Sequence, residues 1–106
     1  MNDTEIEKVV LEKGLTAPRI TTEQIDLLVS HIHYAIYQPP GTTSTFVHAY
    51  LDGKFFLATG DSACVSLENF NAELGYRMAR DNAMALARTK LWELEGYRLY
   101  QQLRTS

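Results

Sequence analysis

Residues 43–59 read TSTFVHAYLDGKFFLAT, two runs of β-branched and aromatic residues separated by Asp52-Gly53. Such runs favour β-strands, and Asp-Gly readily adopts the positive φ angles of a type I′ turn. The stretch therefore predicts a β-hairpin, in which a two-residue turn places Tyr50 opposite Phe55. Because both faces of this hairpin are largely apolar, we expect helices on one face and a further strand, a loop or a second subunit on the other.

A long helical pattern follows the hairpin and runs from Leu67 to about Glu95, with Ser66 or Asn69 as its cap and Gly96 as its end. One of its two stripes is bulky and suits the domain core: Leu67, Phe70, Leu74, Met78, Ala85 and Trp92. The other stripe is mostly small and permits close approach of another helix, from this chain or a symmetry mate: Ala72, Gly75, Ala79, Ala83 and Leu86. The segment after Gly96 stays open between a last helical turn and an extended tail.

Two shorter helices precede the hairpin. Capping residues and apolar spacing predict the first over residues 4–13, and Pro18 then indicates a linker over residues 15–20. Thr21 caps the second, which covers roughly residues 22–33. Its end stays open, because three apolar or aromatic residues also alternate there as in a strand: Ile32, Tyr34 and Ile36.

These elements predict an α+β fold, a β-hairpin packed on a long C-terminal helix with two shorter N-terminal helices. The chain of 106 residues is the length of one domain, residues 1–106. Its net charge of −3 has the wrong sign for bulk nucleic-acid binding. We find no segment suited to a signal peptide or membrane span, so we expect a cytoplasmic protein without membrane contact.

Candidate catalytic groups are few. Cys64 could serve as a nucleophile with His48 as its base, but no third group is placed to orient that histidine. His31, His33 and His48 could hold zinc if residues 31–33 formed a strand, since residues i and i+2 then share a side. We predict no catalytic residue, no metal and no cofactor, and therefore no enzyme. The rival hypothesis is a metal- or thiol-dependent hydrolase built from these four residues.

The sequence contains more candidate binding residues than candidate catalytic residues. Arg77, Arg80 and Arg88 lie within one quarter of the long helix's circumference and could bind an anion, although the nearby carboxylates favour a solvated face. The chain also has six tyrosines, a residue type favoured where an apolar surface meets water: Tyr34, Tyr37, Tyr50, Tyr76, Tyr97 and Tyr100.

One copy of this chain cannot cover both hairpin faces and both helix stripes with two short helices. Exposed apolar patches on monomers usually mark interfaces, and two-fold symmetry is the commonest way to bury them. We therefore predict a homodimer. Its contact is centred either on the hairpin, at Phe46, Tyr50 and Phe55, or on the small stripe, at Ala72, Ala79 and Ala83.

Four short motifs resemble a known family: LDGKF at 51–55, GDSACV at 60–65, NFNAELG at 69–75 and LWELEGY at 91–97. The chain is similar to the small tailed-phage protein family typified by gene 49 of coliphage N-four and gene 66 of Shigella phage Sf-six. The similarity extends from Gly14 to Tyr97. It departs at Asp61, where the family usually has Glu, and in the hairpin, where the family usually has Asn-Gly-Phe.

The resemblance implies a phage origin and the cytoplasm of an infected bacterial host, with no residue carried over as catalytic. Together with the residues, it predicts a small non-enzymatic accessory protein that binds a host or phage protein. The alternative is an oligomeric phage protein that sequesters a nucleotide or another anionic small molecule at the arginine stripe.

Overall fold

A computed structural model describes residues 2–14 and 17–105 of the chain. The elements are α1 (Asp3–Glu12), α2 (Thr22–Val29), β1 (Ile32–Tyr37), β2 (Thr45–Leu51), β3 (Phe55–Ser62), a 3-10 turn (Leu67–Asn69) and α3 (Ala72–Arg104). The three strands form an antiparallel sheet in the order β1-β2-β3, and α3 packs on β2 and β3. The predicted α+β fold, with a hairpin on a long C-terminal helix, is confirmed.

The hairpin turn forms at the predicted dipeptide. Asp52 has a φ of 56° and Gly53 a φ of 70°, the left-handed conformations that a type I′ turn needs at both central positions. The backbone N–H of Lys54 donates to the carbonyl oxygen of Leu51 across the turn, at 3.0 Å. The local turn chemistry therefore determines where the chain reverses.

The predicted register of the hairpin is wrong. Three residues, rather than two, separate the paired residues Leu51 and Phe55. A β-bulge then leaves Leu57 without a direct partner, and Tyr50 lies opposite Phe56 instead of Phe55. The bulge turns Leu57 into the core, where it is 3% exposed, and places Phe56 on the face predicted for Phe55.

The first N-terminal helix matches its prediction closely, and the second begins where predicted but ends at Val29 instead of residue 33. The side chain of Asn2 caps α1 and accepts from the backbone N–H of Glu5 at 2.8 Å. Thr21 caps α2 and accepts from the N–H of Gln24 at 3.1 Å, as predicted. In the predicted linker, residues 15 and 16 lie outside the described part of the chain.

The segment after α2, for which the sequence allowed either a helix or a strand, forms a strand. The helix ends at Val29, and β1 begins at Ile32, which pairs with Leu51 of β2. A strand is favoured over a longer helix here for two reasons. β1 pairs with the backbone N–H and C=O groups along the edge of β2, and it buries Ile32 to 9% exposure.

The long helix is displaced towards the C-terminus relative to its prediction. It starts at Ala72, where the Asn71 side chain accepts from the N–H of Leu74 at 3.0 Å, and neither predicted cap is used. It also continues through Gly96 to Arg104. One glycine costs a helix about 1 kcal/mol relative to alanine, and the strong helix formers on both sides of Gly96 offset that cost.

The core lies between the sheet and the small stripe of α3, not the bulky one. Ala79, Ala83 and Ala87 are fully buried. A Cβ atom at Gly60 of β3 would lie 2.2 Å from both the carbonyl oxygen of Ala79 and the nitrogen of Ala83. Helix and strand therefore meet backbone to backbone, which only small residues permit. Two residues of the bulky stripe, Leu74 and Met78, are more than half exposed instead, and so are Leu67 in the 3-10 turn and Leu86, which was assigned to the small stripe.

Candidate protein-binding surface

One face of the sheet packs on α3 and the other carries no helix in the described part of the chain. Strand alternation and cross-strand pairing place nine residues on this second face, which we call the open sheet face. They are His33, Ala35 and Tyr37 of β1, Phe46, His48 and Tyr50 of β2, and Phe56, Thr59 and Asp61 of β3. Both outer strands, β1 and β3, also have a free edge within the described sheet.

Four aromatic side chains dominate the open sheet face. Tyr37 is 53% exposed and Phe56 is 52% exposed, while Phe46 and Tyr50 are half-buried beside them. The Tyr50 and Phe56 rings meet edge to face, with their centroids 5.7 Å apart and their planes at 64°. This contact orients the two rings against each other, so the surface carries a preformed aromatic pair.

The predicted dimer residues fall in different places. Phe46 and Tyr50 lie on the open sheet face, but Phe55 does not, because it pairs with Leu51, which contacts the core. Of the small stripe, Ala79 and Ala83 are fully buried against the sheet of the same chain. Ala72 is exposed at the start of α3. The small stripe is therefore used within one copy, and the hairpin is the predicted seam that keeps an exposed apolar surface.

The candidate nucleophile and base do not act on each other. His48 Nδ1 is hydrogen-bonded to Thr59 Oγ1 at 2.8 Å on the open sheet face. Cys64 lies beyond the end of β3, where its thiol donates to the carbonyl oxygen of Ser66 at 3.1 Å. Its own carbonyl oxygen accepts a short hydrogen bond from the Thr43 hydroxyl. The His48 contact therefore stabilises the sheet, and the Cys64 contacts stabilise the loop that follows β3.

The three histidines are likewise separated. His33 and His48 share the open sheet face on adjacent strands, whereas His31 precedes β1 and lies 3.4 Å from the Asp52 carboxylate at the hairpin turn. Within residues 2–14 and 17–105, no three His, Cys, Asp or Glu side chains gather as metal ligands would. The described residues therefore supply no donor set for zinc.

The arginine stripe is divided among three environments. Arg88 is held by Asp3 at 2.7 Å and by Asp26 at 2.8 Å, so its charge is already balanced. The Arg80 guanidinium lies 5.7 Å from the centroid of the Tyr76 ring, a cation–π geometry. Arg77 is exposed to solvent. Arg80 also lies 3.6 Å from the Asp81 carboxylate. Among the residues that the structure describes, an anion would therefore find one free cation and one partly engaged, rather than the predicted row of three.

Arg88 belongs to a polar clamp that holds α1 against the rest of the molecule. A second ion pair joins Glu7 of α1 to Arg19 at 2.6 Å. The Thr22 hydroxyl donates to the backbone carbonyl of Asp3 at 3.3 Å. None of the residues in α1 is buried. Charged contacts rather than apolar packing therefore attach this helix.

The ion pair perturbs the titration of one carboxyl group. The hydrogen bond from Arg19 lowers the pKa of Glu7 below its ordinary value, and its effect exceeds that of burial, which acts in the opposite direction. Glu7 therefore stays ionised in mildly acidic solution, and its attachment of α1 is retained there.

A cavity of about 350 Å³ lies between α1 and α3. Its walls are mostly apolar, and we call it the α1 cleft. It is lined by Asp3, Ile6, Glu7 and Val10 of α1, by Arg19, Ile20 and Thr22, and by Trp92 of α3.

Sequence reasoning missed two sets of surface residues. Phe56 was assigned to the other face because nothing in the sequence marks the bulge at Leu57. The α1 cleft was missed because each of its walls comes from a different segment. Its one available signal was the apolar stripe of residues 4–13, which requires something to dock on.

None of the helices in the described part of the chain has the length and apolarity that a membrane crossing requires. Comparisons with curated proteins and with solved structures found no match. Comparison with known families matches residues 20–103 to the phage protein (N4 Gp49/phage Sf6 gene 66) family, and this match covers the sheet, α2 and nearly all of α3. The predicted resemblance is confirmed, and the chain belongs to the phage protein family of N4 Gp49 and phage Sf6 gene 66.

Proposed function

We propose that this phage protein is a non-enzymatic accessory factor that binds a host or phage protein in the cytoplasm of the infected bacterium. The observation that carries the proposal is the open sheet face. It combines two half-exposed aromatic rings with two half-buried ones on a rigid three-stranded sheet. Aromatic side chains held in place by their neighbours are typical of the energetic centres of protein interfaces.

The surroundings of the aromatic cluster favour a protein over an anionic ligand. The open sheet face carries two histidines and Asp61 but no lysine or arginine. Nucleotides and nucleic acids are bound largely through their phosphates, which require such cations. The free edges of β1 and β3 add unpaired backbone groups, which a polypeptide can use by adding a strand.

Affinity capture from infected cells tests this proposal. We expect the wild-type protein to retain a defined partner, and the Phe56→Asp variant to lose it, because the substitution places a charge against the Tyr50 ring. Met78→Asp is the matched control, since Met78 is equally exposed, at 52%, but lies on α3. Circular dichroism verifies that both variants fold.

Two outcomes contradict the proposal. One is a partner that Phe56→Asp retains as well as the wild type does. The other is a nucleotide that copurifies with the wild type and is lost in the Arg77→Ala and Arg80→Ala variants, which would favour sequestration of an anionic small molecule. A bound metal lost in His33→Ala would revive the hydrolase hypothesis.

A further inference from the structure

We propose that strand β1 pairs antiparallel with β1 of a second copy of this chain, with the two-fold axis at Tyr34, so that two three-stranded sheets join into one. This seam is neither of the two that the sequence predicted. It lies on the outer strand opposite β3, so the dimer leaves Phe56 accessible to a host or phage partner.

The outer edge of β1 carries a row of unpaired backbone groups. The His31 carbonyl oxygen accepts from the backbone N–H of Asp52 at 2.9 Å. This bond sets the alternation of the antiparallel ladder, in which every second residue of β1 bonds to β2. The N–H and C=O groups of Ile32, Tyr34 and Ile36 therefore point away from β2. No described strand lies beyond them, and such a row is what an added strand bonds to.

The two edges of the sheet differ in how they are protected. The pairing of β3 contains the bulge at Leu57, and its outer end carries the charge of Asp61. The Asn82 side chain of α3 also donates to the Asp61 carbonyl oxygen, at 2.9 Å. Bulges and charges are the devices by which proteins prevent edge-to-edge pairing. β1 has neither, because its pairing is regular and residues 32–37 include no Asp, Glu, Lys, Arg or Pro.

The sequence of β1 matches itself when two copies run antiparallel. Residues 32–36 read Ile-His-Tyr-Ala-Ile, which is the same in both directions at the three positions whose backbone points outward. In a pair centred on Tyr34, that residue lies opposite the partner subunit's Tyr34, and Ile36 lies opposite the partner subunit's Ile32. Each of these pairs exchanges two hydrogen bonds. Any other register leaves at least one outward residue without a partner in β1.

The same register covers an exposed isoleucine. Ile32 is 9% exposed and belongs to the core, whereas Ile36, on the same side of β1, is 57% exposed. The cause is that α3 packs mainly on β2 and β3. Side chains of directly opposed residues lie about 5 Å apart at their Cβ atoms. Each exposed Ile36 is therefore placed beside the covered end of the other copy's strand, at both ends of the seam.

The pairing also extends the open sheet face. On that face His33 lies opposite the partner subunit's Ala35, and Tyr37, which is 53% exposed, lies opposite the partner subunit's His31. The two open sheet faces thus become one surface. A foreign strand would use the same backbone groups, but a second copy brings isoleucine and tyrosine to the matching positions, as a two-fold contact requires. This match favours self-pairing.

Light scattering coupled to gel filtration tests the dimer. We expect the wild type to have twice the monomer mass at micromolar concentration. In Ile36→Lys the dissociation constant should rise at least about tenfold, because a charge then faces the partner subunit's Ile32. Ile36→Val should leave the dimer intact. So should Phe56→Lys, the matched control of similar exposure on β3. Circular dichroism verifies that all three variants fold.

Disulfide formation tests the register. In a Cys64→Ser background, a mixture of His33→Cys and Ala35→Cys copies should cross-link on oxidation. These positions form a pair without hydrogen bonds, with Cα atoms about 4.5 Å apart, a separation that a disulfide spans. A mixture of His33→Cys and Tyr37→Cys copies should not cross-link, since those positions lie two residues out of register, roughly 8 Å apart.

Four results would overturn the proposal. The first is a monomeric wild type, including one that captures a foreign polypeptide through β1 and loses it in Ile36→Lys. The second is a dimer that Ile36→Lys leaves intact. The third is a dimer that Phe56→Lys dissociates as readily as Ile36→Lys does. The fourth is equal cross-linking in the two cysteine mixtures, which would contradict an axis at Tyr34.

Discussion

The long helix α3 is attached to the sheet and to α1 in different ways. Near its start, Ala79 and Ala83 lie fully buried against the sheet, at the position where Gly60 lacks a side chain. Further along, α1 reaches the helix mainly through the ion pair between Asp3 and Arg88, and it contains no buried residue. The same helix thus uses close apolar packing at one site and charged contacts at the other.

This difference teaches which part of the molecule can change its contacts. Close-packed backbone contacts tolerate almost no change in volume, so the sheet and the first turns of α3 act as a rigid unit. Partly exposed ion pairs contribute little stability each and can be exchanged for others. The contacts of α1 can therefore change without disturbing the core, and three predictions test the contrast.

The largest effect is expected in the close-packed region. Ala83→Leu should lower the free energy of unfolding by about 3 kcal/mol, because the helix cannot move away from Gly60 without breaking the core. Chemical denaturation measures the change. Ala85→Leu, exposed on the same helix, should change it by less than about 0.5 kcal/mol. Equal effects of the two variants would contradict the described packing.

A smaller effect is expected at the polar clamp. Arg88→Ala removes the hydrogen bonds to both Asp3 and Asp26, and should cost about 1–2 kcal/mol. Hydrogen exchange should accelerate in α1 while the sheet stays protected. Arg77→Ala supplies the control, since Arg77 is exposed on the same helix. Faster exchange throughout the sheet would show that α1 is part of the rigid unit after all.

The smallest effect is a pH dependence confined to α1. Arg19 lowers the pKa of Glu7 in the folded protein, so between the folded and unfolded values the folded state binds fewer protons. The stabilisation is therefore complete above the ordinary value of 4.5 and is lost as the pH falls through the folded value.

Trp92, the only tryptophan, lines the α1 cleft and reports this change by fluorescence. On acidification its emission should shift before the sheet unfolds, and in Glu7→Gln the shift should disappear. If the emission shift is unchanged in Glu7→Gln, it arises from the titration of a different residue.

Much of the fold could be predicted because its signals are local. The positive φ angles at Asp52 and Gly53 and the cap at Thr21 each depend on a few neighbouring residues. The strand at Ile32 was only one of two predicted alternatives, since its pairing with Leu51 joins residues far apart in sequence. Gly96 was misassigned as a helix end because a glycine interrupts or continues a helix according to the residues around it.

The candidate surfaces were harder to predict than the fold. Phe46 and Tyr50 were placed on one face by alternation, but the bulge at Leu57 replaced Phe55 by Phe56. The position of a bulge depends on both turn geometry and core packing, so no short sequence motif predicts it. The sequence predicted an arginine stripe on one side of the helix, but Arg88 is neutralised by Asp3, a residue 85 positions away.

The sequence by itself determined the hairpin, the helices and the family, because turn chemistry, capping and periodicity act over a few residues and the family motifs are contiguous. Only the tertiary structure decided which stripe of α3 faces the sheet. The bulky stripe offered more apolar area, but the missing side chain at Gly60 allowed a closer approach that only Ala79 and Ala83 could fill. That choice depends on the shapes of two surfaces brought together by the fold, and not on any short stretch of sequence.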